Sequence, residues 1–351
     1  MIKERYLITG GLGFIGSNLI RNLSNLENIS ICNIDKVSYS SSKEALKGIE
    51  IKNYEFKKIN IVNTRKVTQI INEFKPSYII HLAAESHVDR SIDNPDDFIQ
   101  SNIIGTYNLL EGAYKYWKKL RKSKKNSFRF IHVSTDEVYG SLSRNQYPFT
   151  EHSNYYPNSP YSASKASSDH LARSWFQTFS LPVIITNTCN NYGPWQFPEK
   201  LIPLVINKCL NNKSIPIYGK GKQIRDWIRV EDHISGLLKV IEKGKVGEKY
   251  NIGANSELSN IIVVKTICEY LDKVRPLSGK SYKTLIKFVK DRPGHDHRYA
   301  IDNKKILRLG WKPSYEWKQG IQDTIDWYIT NYSFLESKTK SIYPGERLGK
   351  L

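Results

Sequence analysis

Short apolar runs alternate with longer amphipathic segments over the first half of the chain. The short runs are rich in β-branched and aromatic residues, which is typical of strands, and the longer segments repeat their apolar residues at helical spacing. Strands are predicted at 5–9, 30–34, 78–82, 128–134 and 182–188, and helices at 14–26, 67–74, 98–120 and 162–179. This alternation predicts an α/β fold, with a doubly wound parallel sheet covered by helices on both faces.

The alternation ends after Asn190, where proline and glycine begin to interrupt the pattern. We therefore predict a first domain over 1–189 and a smaller C-terminal α/β lobe, mainly over 190–332. The chain should return to the first domain near 232–253. The last stretch, 333–351, is polar and is predicted to be an extended tail.

The composition is that of a globular protein with a substantial core. Of 351 residues, 39% are apolar and 25% are charged, which excludes a disordered chain. There is no run of about 18 apolar residues that could form a membrane-spanning helix, and no signal peptide is recognisable. The four cysteines are scattered, which indicates neither a disulfide framework nor a zinc site. We expect a cytoplasmic protein without a metal or a membrane partner.

The chain is strongly basic, with 53 lysines and arginines against 34 acidic residues, a net charge of +19. Such an excess can indicate an anionic partner such as nucleic acid, or simply an abundance of lysine across the whole surface. The densest basic run, 118–125, lies where a helix should end, and lysine there complements the helix dipole. It contains no aromatic residue to stack on bases, so we expect no nucleic-acid partner.

A glycine-rich loop joins the first predicted strand to the first helix. Gly10, Gly11, Gly13 and Gly16 satisfy both GxGxxG and GxxGxxG. Glycine permits the tight turn and lets backbone amides approach a pyrophosphate at the helix N-terminus. Asp35 ends the second strand, where an acidic residue accepts hydrogen bonds from ribose hydroxyls and repels a 2′-phosphate. The first domain is therefore predicted to be a Rossmann-type domain that binds NAD rather than NADP.

Two further segments carry residues suited to proton transfer. Thr135, Asp136 and Glu137 follow a predicted strand, and parallel sheets bind ligands at the C-terminal ends of their strands. Tyr161 and Lys165 lie one turn apart on one face of a predicted helix. A nearby ammonium, together with the positive nicotinamide, lowers the pKa of a phenol. The phenolate can then take a proton from a substrate hydroxyl while hydride passes to NAD.

These motifs and several others resemble the extended short-chain dehydrogenase/reductase family. Within it, the chain is most similar to nucleoside-diphosphate-glucose 4,6-dehydratases, which act on dTDP-glucose or UDP-glucose. The resemblance extends from the glycine loop to about residue 329. Its specific markers are HLAAESHVDRS at 81–91, TDE at 135–137, NNYGP at 190–194, FPEKL at 197–201, RDW at 225–227, YNIG at 250–253 and DRPGHD at 291–296.

The resemblance implies a role for each catalytic residue. Tyr161, supported by Lys165, would be the base that helps to oxidise C4 of glucose, and Thr135 would bond the same oxygen. Glu137 would then remove the acidified C5 proton, while Asp136 protonates the departing 6-hydroxyl. Hydride then returns to C6 and a proton to C5, so the product is a 4-keto-6-deoxy sugar nucleotide, an early intermediate of deoxysugar synthesis such as that of rhamnose.

The resemblance also implies the binding residues. The predicted cofactor contacts are Gly10, Gly11, Gly13, Phe14, Ile15, Gly16, Asp35, Lys36, Asn60, Ile61, Leu82, Ala83, Ala84, Ser101, Tyr161, Lys165 and Asn191. The predicted contacts with the nucleoside-diphosphate-glucose substrate are Ser86, Thr135, Asn190, Lys200, Leu201, Pro216, Tyr218, Arg225, Asn260, Arg292 and His295.

Three positions depart from the family pattern. Asn60 replaces the usual aspartate, so the adenine contact can differ, and Ser101 replaces a threonine but keeps the hydroxyl. Trp195 replaces a tyrosine or histidine and is expected near the nucleotide pocket, which leaves the preference between dTDP and UDP open.

Two alternative functions are weighed against the dehydratase. One is a 4-epimerase or decarboxylase of the same family, which would not require Asp136 and Glu137. The other is a basic, catalytically inactive Rossmann protein that binds nucleic acid, which the intact Tyr161 and Lys165 argue against.

A homodimer through a four-helix bundle is also implied by the resemblance. The helix at 98–120 carries Ile103, Tyr107, Leu110 and Tyr114 at spacings of four, three and four. The helix that carries Tyr161 continues with Leu171, Trp175 and Phe179 at spacings of four. Each series forms one helical face, of which part must pack on the sheet. We expect the remaining part to pair across a twofold axis.

Overall fold

The computed structural model describes residues 4–49 and 53–341. Its strands are β1 (Glu4–Thr9), β2 (Ile29–Asp35), β3 (Tyr54–Lys58), β4 (Tyr78–His81), β5 (Arg129–Thr135), β6 (Val183–Thr188), β7 (Asn190–Tyr192), β8 (Ile215–Tyr218), β9 (Ile224–Arg229), β10 (Lys249–Ile252), β11 (Glu257–Ser259) and β12 (Ile286–Val289). Its helices are α1 (Phe14–Leu23), α2 (Thr64–Phe74), α3 (Val88–Asp93), α4 (Asp96–Phe98), α5 (Gly105–Lys118), α6 (Lys122–Ser127), α7 (Pro160–Phe179), α8 (Leu201–Leu210), α9 (Val230–Lys243), α10 (Asn260–Val274), α11 (Lys304–Leu307), α12 (Trp317–Thr330) and α13 (Tyr332–Ser341).

Seven parallel strands form the main sheet, in the order β10-β6-β5-β4-β1-β2-β3. The chain moves outward from β1 through β2 to β3, and then crosses back to β4 on the other side of β1. Such a reversal opens a crevice at the C-terminal ends of the strands, where ligands bind. The doubly wound fold predicted from the sequence is therefore confirmed. The edge strand β10 lies within the range 232–253 for which a return to this domain is predicted.

Both faces of the sheet are covered by apolar helix faces. On one face, Leu19 and Leu23 of α1 pack with Leu237 of α9. On the other face, residues of α2, α5 and α7 pack together, including Phe74 and Leu109. Because the central strands are buried from both sides, they are continuously apolar, which explains why the hydrophobic pattern predicts them. The edge strand β3 is half exposed and polar, so the pattern does not predict it.

The long helix predicted at 98–120 is interrupted by a π-helical segment, Ile99–Ile104, between α4 and α5. Asn102 lies in this segment and bonds the backbone of Glu85 on both sides, accepting from its N–H (2.9 Å) and donating to its carbonyl (3.0 Å). It also donates to Ser164 of α7 (2.8 Å). Wide turns of this kind are frequent at functional sites. Here the turn connects the strand end after β4 to the helix that carries Tyr161.

A second lobe contains the short strands β7, β8, β9, β11 and β12, with α8, α10, α12 and α13. The strands form a three-stranded sheet, β11-β9-β7, and a parallel pair, β12-β8. Their apolar core includes Val205 of α8, Ile267 of α10 and Ile325 of α12, all fully buried. Among the described residues, none of the helices combines the length and apolarity needed to cross a bilayer.

The prediction of an extended tail from residue 333 is wrong for its first part, because α13 is helical through Ser341. Phe334 and Leu335 are buried in the core of the second lobe. Phe334 packs edge-on against Trp195 (5.3 Å between ring centroids) and against Trp327 (5.9 Å). Residues 333–351 are polar overall, so composition does not reveal that the two adjacent apolar residues Phe334 and Leu335 pack against a neighbouring helix. Residues 342–351 lie outside the described part of the chain.

Candidate active site

The glycine loop forms a tight turn between β1 and α1. Gly10 has a φ of +72°, and a Cβ at this position would lie 2.7 Å from the backbone nitrogen of Ala83, so only glycine fits. Gly16 allows the first turn of α1 to contact the backbone of Gly10. Gly13 is the N-cap of α1 and no side chain caps this helix. The unpaired amides of the helix start therefore line the adjacent cavity, which is an arrangement suited to a pyrophosphate.

Asp35 lies at the C-terminal end of β2 and organises the loops around it. One carboxylate oxygen accepts from the N–H of Leu12 in the glycine loop (3.1 Å). The other accepts from the N–H of Val37 (2.7 Å) and from the hydroxyl of Ser41 (3.0 Å). Asp35 is thus a structural residue of two loops as well as the predicted ribose ligand.

A cavity of about 270 Å³ lies over these loops and over the C-terminal ends of β1, β2, β4 and β5. Of the predicted cofactor residues, it is lined by Gly10, Gly13, Phe14, Ile15, Gly16, Asp35, Lys36, Asn60, Ile61, Leu82, Ala83, Ala84, Ser101, Tyr161, Lys165 and Asn191. Gly11 is the exception among the predicted residues. A Cβ on Gly11 would meet Asn33 and Ile20, so this glycine serves the packing of the loop on β2 and α1.

Two of the positions that depart from the family pattern lie in the wall of this cavity. Ser101 accepts a hydrogen bond from the ammonium of Lys36 (3.1 Å), which also pairs with Glu85 (2.6 Å). Asn60 turns its side-chain oxygen to the N–H of Val62 (3.1 Å). The serine hydroxyl is therefore already used by the chain, and the amide of Asn60 stabilises the turn before α2.

The predicted catalytic triplet begins with Thr135, the last residue of β5, and continues into a short 3₁₀ turn, Asp136–Tyr139. Thr135 caps this turn by accepting from the N–H of Glu137 (3.2 Å), and its hydroxyl also contacts Asp136 (3.3 Å). Asp136 is 2% exposed, and its second carboxylate oxygen has no hydrogen-bond partner. Burial, together with the charges of Glu137 and Asp226, raises the pKa of Asp136 well above its ordinary value. A raised pKa favours the protonated form, which is the form that a general acid requires.

Glu137 experiences a different balance of forces. Burial raises its pKa, while the cations Arg292, Arg225 and Lys200 lower it, and the net result is a raised pKa. A carboxylate with a raised pKa is a stronger base once it is ionised. Two adjacent carboxyl groups with different surroundings can therefore divide the roles of acid and base.

Tyr161 and Lys165 lie beside the triplet on α7, and both are buried. Burial, and then the charge of Glu137, raise the pKa of the Tyr161 phenol above its ordinary value, and the hydroxyl of Thr135 opposes this shift. Burial also lowers the pKa of Lys165 to about 8. Its ammonium donates to the carbonyl of Val133 (2.8 Å). The sequence analysis expects Lys165, together with the positive nicotinamide, to lower the pKa of Tyr161. The protein side chains by themselves raise it.

A second cavity, of about 230 Å³, lies between the first domain and the second lobe. Of the predicted substrate residues, it is lined by Asn190, Lys200, Leu201, Pro216, Tyr218, Arg225, Asn260, Arg292 and His295, whereas Ser86 and Thr135 line the first cavity. Glu137, Asn190, Asn191 and Lys200 line both cavities. The two cavities therefore meet at the carboxylate of Glu137.

Positive charge is concentrated in the second cavity. Arg292 pairs with Asp89 (2.8 Å), while its Nε is buried and has no hydrogen-bond partner. Arg225 is 5% exposed and lies over the ring of Tyr299 (4.2 Å). Guanidinium groups with free N–H bonds, positioned by carboxylates and rings, are suited to a diphosphate.

Several lining residues are not singled out by the sequence. Glu199 is buried and binds Arg90 (2.9 Å) and the hydroxyl of Tyr39 (2.9 Å), which joins the second lobe to the loop after β2. Tyr299 lines the second cavity and bonds Asp296. Glu199 lies within the FPEKL motif, so the motif could have indicated it. Tyr299 lies in no motif, and no sequence signal identifies it.

Trp195 does not lie where the sequence places it. It has a φ of +70°, and its ring packs against Trp327 (4.8 Å between centroids) and beneath the guanidinium of Arg21 (5.4 Å). This left-handed backbone turns the indole away from both cavities and toward α12 and α13. Trp195 therefore gives no information on the choice of base. Within 4–49 and 53–341, no cluster of three or more side chains is suited to hold a metal ion.

Comparison with known proteins places this geometry in a family. The chain matches the family model described as GDP-mannose 4,6 dehydratase over residues 7–324. Among curated proteins, it is 51% identical over 349 residues to dTDP-glucose 4,6-dehydratase 1 of Escherichia coli strain K12, an alignment that covers 97% of this chain and 96% of that protein.

Two solved structures are similar over almost the whole chain. The dTDP-glucose 4,6-dehydratase of Streptomyces venezuelae, solved with NAD and a second ligand bound, has a TM-score of 0.86 at 36% identity, covering 95% of this chain and 99% of that one. The dTDP-glucose 4,6-dehydratase of Bacillus anthracis strain Ames, solved in complex with NAD, has a TM-score of 0.84 at 41% identity, covering 96% and 100%.

Proposed function

The chain belongs to the GDP-mannose 4,6 dehydratase family, and from this premise we propose that it is an NAD-dependent nucleoside-diphosphate-glucose 4,6-dehydratase, a hydro-lyase. It converts the glucose nucleotide to the 4-keto-6-deoxy sugar nucleotide and water. dTDP-glucose is the favoured substrate, because relatives with about half of their residues identical carry that name. The observation that carries the proposal is the pair of adjacent carboxyl groups, Asp136 and Glu137, in the first cavity, of which Glu137 also lines the second.

The residues around the first cavity fit NAD. The glycine loop has no room for a Cβ at Gly10, α1 begins without a side-chain cap, and Asp35 lies at the end of β2. When bound, NAD supplies reversible storage of two electrons, taken from C4 of the sugar and returned to C6. The carboxylate of Asp35 would hold the ribose hydroxyls and disfavour a 2′-phosphate.

Oxidation at C4 requires a base and an orienting hydroxyl. Tyr161 takes the proton of the 4-hydroxyl, and Thr135 holds the same oxygen. Since burial raises the pKa of Tyr161, the ammonium of Lys165 and the positive nicotinamide must supply the opposite shift.

Elimination of water follows at C5 and C6. The ketone acidifies the C5 proton, which Glu137 removes, while Asp136 gives its proton to the departing 6-hydroxyl. The raised pKa of Asp136 favours the protonated form that can donate this proton. A 4-epimerase has no use for this pair of carboxyl groups, so the pair favours the dehydratase over the alternative.

The second cavity holds the rest of the substrate. Arg225, Arg292 and Lys200 would bind the diphosphate, and Asn260 together with apolar residues of α8 would surround the base. Ser86, in the first cavity, would contact the sugar.

Product analysis tests the proposal. Purified enzyme incubated with dTDP-glucose should form the 4-keto-6-deoxy nucleotide without net release of NADH, and UDP-glucose should react with a lower kcat/KM. Accumulation of the galactose epimer would instead identify an epimerase, and release of carbon dioxide from a separately supplied uronic-acid nucleotide would identify a decarboxylase. Tight, strongly salt-dependent binding of DNA with no turnover would support the nucleic-acid alternative.

A homodimer is part of the proposal. On α5 and α7, Tyr107 and Phe179 are 42% and 40% exposed, although both pack edge-on against the nearly buried Trp175. An exposed aromatic patch on two adjacent helices supports a twofold four-helix bundle. Leu110 is fully buried in the first domain, so this residue belongs to the core and not to the proposed interface.

We also place the enzyme in the cytoplasm. The four cysteines are free, buried thiols, which supports a reducing compartment.

A further inference from the structure

A buried carboxylate on α7 has no assigned role in the reaction described above. Asp169 follows Lys165 by four residues and Tyr161 by eight, so the three side chains lie on one face of the helix. Asp169 is 2% exposed and Lys165 is 4% exposed. An acidic group so far from water requires compensating partners.

The carboxylate of Asp169 is held by side chains from three other parts of the first domain. One oxygen accepts from the hydroxyl of Tyr155 (2.8 Å) and from the amide of Asn187 on β6 (3.1 Å). The other lies 3.1 Å from Nε2 of His132 on β5. Asn187 also donates to the carbonyl of Thr135 (3.1 Å), so the same network reaches the catalytic triplet.

The network keeps Asp169 ionised. Burial alone would raise its pKa, but the contact with His132 and the charge of Lys165 bring the pKa below its ordinary value. Burial, reinforced by the charge of Lys165, lowers the pKa of His132, so this imidazole is neutral at pH 7. The negative charge of Asp169 is therefore not cancelled by its histidine partner.

The groups around Lys165 leave Asp169 as its counter-charge. On α7 itself these groups are Tyr161 and Asp169. From β4 and β5 come His81 and His132, whose pKa values burial lowers, so both are neutral. Lys249 of β10 also interacts with the charge of Asp169, and its ammonium lies over the ring of Tyr155 (4.5 Å).

We propose that Asp169 is a positioning residue for the oxidation step, the buried counter-ion that keeps the ammonium of Lys165 charged beside Tyr161. The proposal rests on the proposed function, because it concerns the step in which Tyr161 accepts a proton from the sugar. Without a counter-ion, a buried lysine releases its proton more readily, and an uncharged lysine no longer stabilises the phenolate.

The direction of the expected pH shift follows from the effects of Asp169 on Lys165 and on Tyr161. In Asp169→Asn, the pKa of Lys165 falls below its present value of about 8, so the basic limb of the rate profile moves to lower pH. The charge of Asp169 also raises the pKa of the Tyr161 phenol, so its removal offsets the loss of cationic stabilisation, and the acidic limb should stay near its parent position. The profile of the oxidation step should therefore narrow from the basic side.

The experiment isolates the oxidation step. In a Glu137→Gln background, single-turnover formation of NADH is followed at 340 nm against pH, with dTDP-glucose as substrate. Asp169→Asn should lower the rate at pH 7 by about tenfold, less than the ~10²-fold or more that a direct acid or base contributes, and should narrow the profile. Tyr155→Phe is the matched control, because it removes a hydrogen bond to Asp169 but leaves the charge.

A second readout does not depend on activity. The Lys165 side chain, in protein labelled at lysine Cε and assigned against Lys165→Arg, is titrated by NMR. Its pKa should be lower in Asp169→Asn than in the parent enzyme and unchanged in Tyr155→Phe. Asp169→Glu keeps the charge, so the acidic and basic limbs of its rate profile should lie where they do in the parent enzyme. This variant is used if Asp169→Asn does not fold.

Several outcomes would overturn the proposal. Unchanged limbs and an unchanged lysine pKa in Asp169→Asn would show that the carboxylate does not control the charge of Lys165. Equal narrowing in Tyr155→Phe or Asp169→Glu would show that Asp169 acts only as a structural hydrogen-bond acceptor. If the parent enzyme forms neither NADH nor product, the proposed function fails, and the lysine titration alone then decides the role of Asp169.

Discussion

The two cavities meet at Glu137, yet they are built in different ways. The cofactor cavity is formed by loops that follow neighbouring strands of one sheet, and its defining elements are backbone groups of the glycine loop and the start of α1. The second cavity is formed by side chains from segments far apart in the chain, from Asp89 to Tyr299. A site that binds its ligand through backbone groups is therefore determined by a short stretch of sequence. A site that binds a diphosphate through arginine side chains depends on how the two lobes pack.

The electrostatics of the two cavities differ in the same way. The first relies on amide dipoles of the glycine loop and on the carboxylate of Asp35. The second combines Arg225, Arg292 and Lys200, which lower the pKa of Glu137 against the effect of its burial. The substrate cavity therefore also tunes the base, so substitutions there should change chemistry as well as affinity.

The largest effect is expected where the cavities meet. Glu137→Gln should reduce formation of the 4-keto-6-deoxy product by about 10³-fold, because it removes the base for C5. Bound NAD should still become reduced, since oxidation at C4 precedes this step. Product is measured by chromatography and NADH by absorbance at 340 nm, with the exposed Glu73→Gln as control. Product formation near the parent rate would exclude Glu137 as the base.

A large effect confined to the second cavity should come from Arg292. Arg292→Met removes a guanidinium with a buried, unpartnered Nε, and should weaken binding of dTDP roughly 10- to 100-fold, as expected for a charge-assisted hydrogen bond. Titration calorimetry with dTDP and with NAD measures both affinities. Arg308→Met, on the surface, is the control. An equal loss of NAD affinity would contradict the separation of the two cavities.

A moderate effect is expected at the cofactor cavity. Asp35→Ala should weaken NAD roughly tenfold and reduce discrimination against NADP, because it removes a ribose acceptor and a negative charge. Since Asp35 also holds Leu12 and Ser41, Asp35→Asn is measured alongside as a variant that keeps the side-chain size and one of the two acceptor oxygens. A preference of the parent enzyme for NADP would refute the role given to Asp35.

A smaller effect, confined to the pH dependence of kcat, tests whether the charge of Asp296 influences Glu137. The charge of Asp296 raises the pKa of Glu137, so Asp296→Asn should lower that pKa. A base works above its pKa, so the acidic limb of kcat should move to lower pH. Asn158→Ala removes a hydrogen-bond partner of Asp296 without removing its charge and should leave the limb in place. A limb that stays or moves upward in Asp296→Asn would contradict the coupling.

The smallest effect on either cavity is expected from the proposed dimer interface. Tyr107→Asp places a charge on an exposed aromatic patch, and the twofold axis would bring it near its own copy. Light scattering should give about twice 40.6 kDa for the parent and a value near 40.6 kDa for the variant. Tyr147→Asp, at a 92% exposed position outside this patch, should not change the mass. A monomeric parent at micromolar concentration would refute the dimer.

The sequence by itself determined the features that depend on short stretches of chain. The apolar central strands predict the doubly wound sheet, because burial on both faces demands continuous apolar runs. The glycine loop predicts the first cavity, because glycine is the only residue type that fits the positive φ of Gly10 and its close contact with Ala83. Tyr161 and Lys165 are recognisable because a helix sets their spacing.

Only the tertiary structure decided the features that depend on distant contacts. Trp195 turns toward α12 because its backbone is left-handed, and Phe334 docks α13 on the same cluster, which no local pattern reveals. Asp169 becomes a buried counter-ion only when β5 and β6 bring His132 and Asn187 to it. The charge state of a group depends on burial and on neighbours in space. The resemblance proposes Asp136 as the acid and Glu137 as the base, and only the packing shows that burial raises the pKa of both and that three cations act on Glu137.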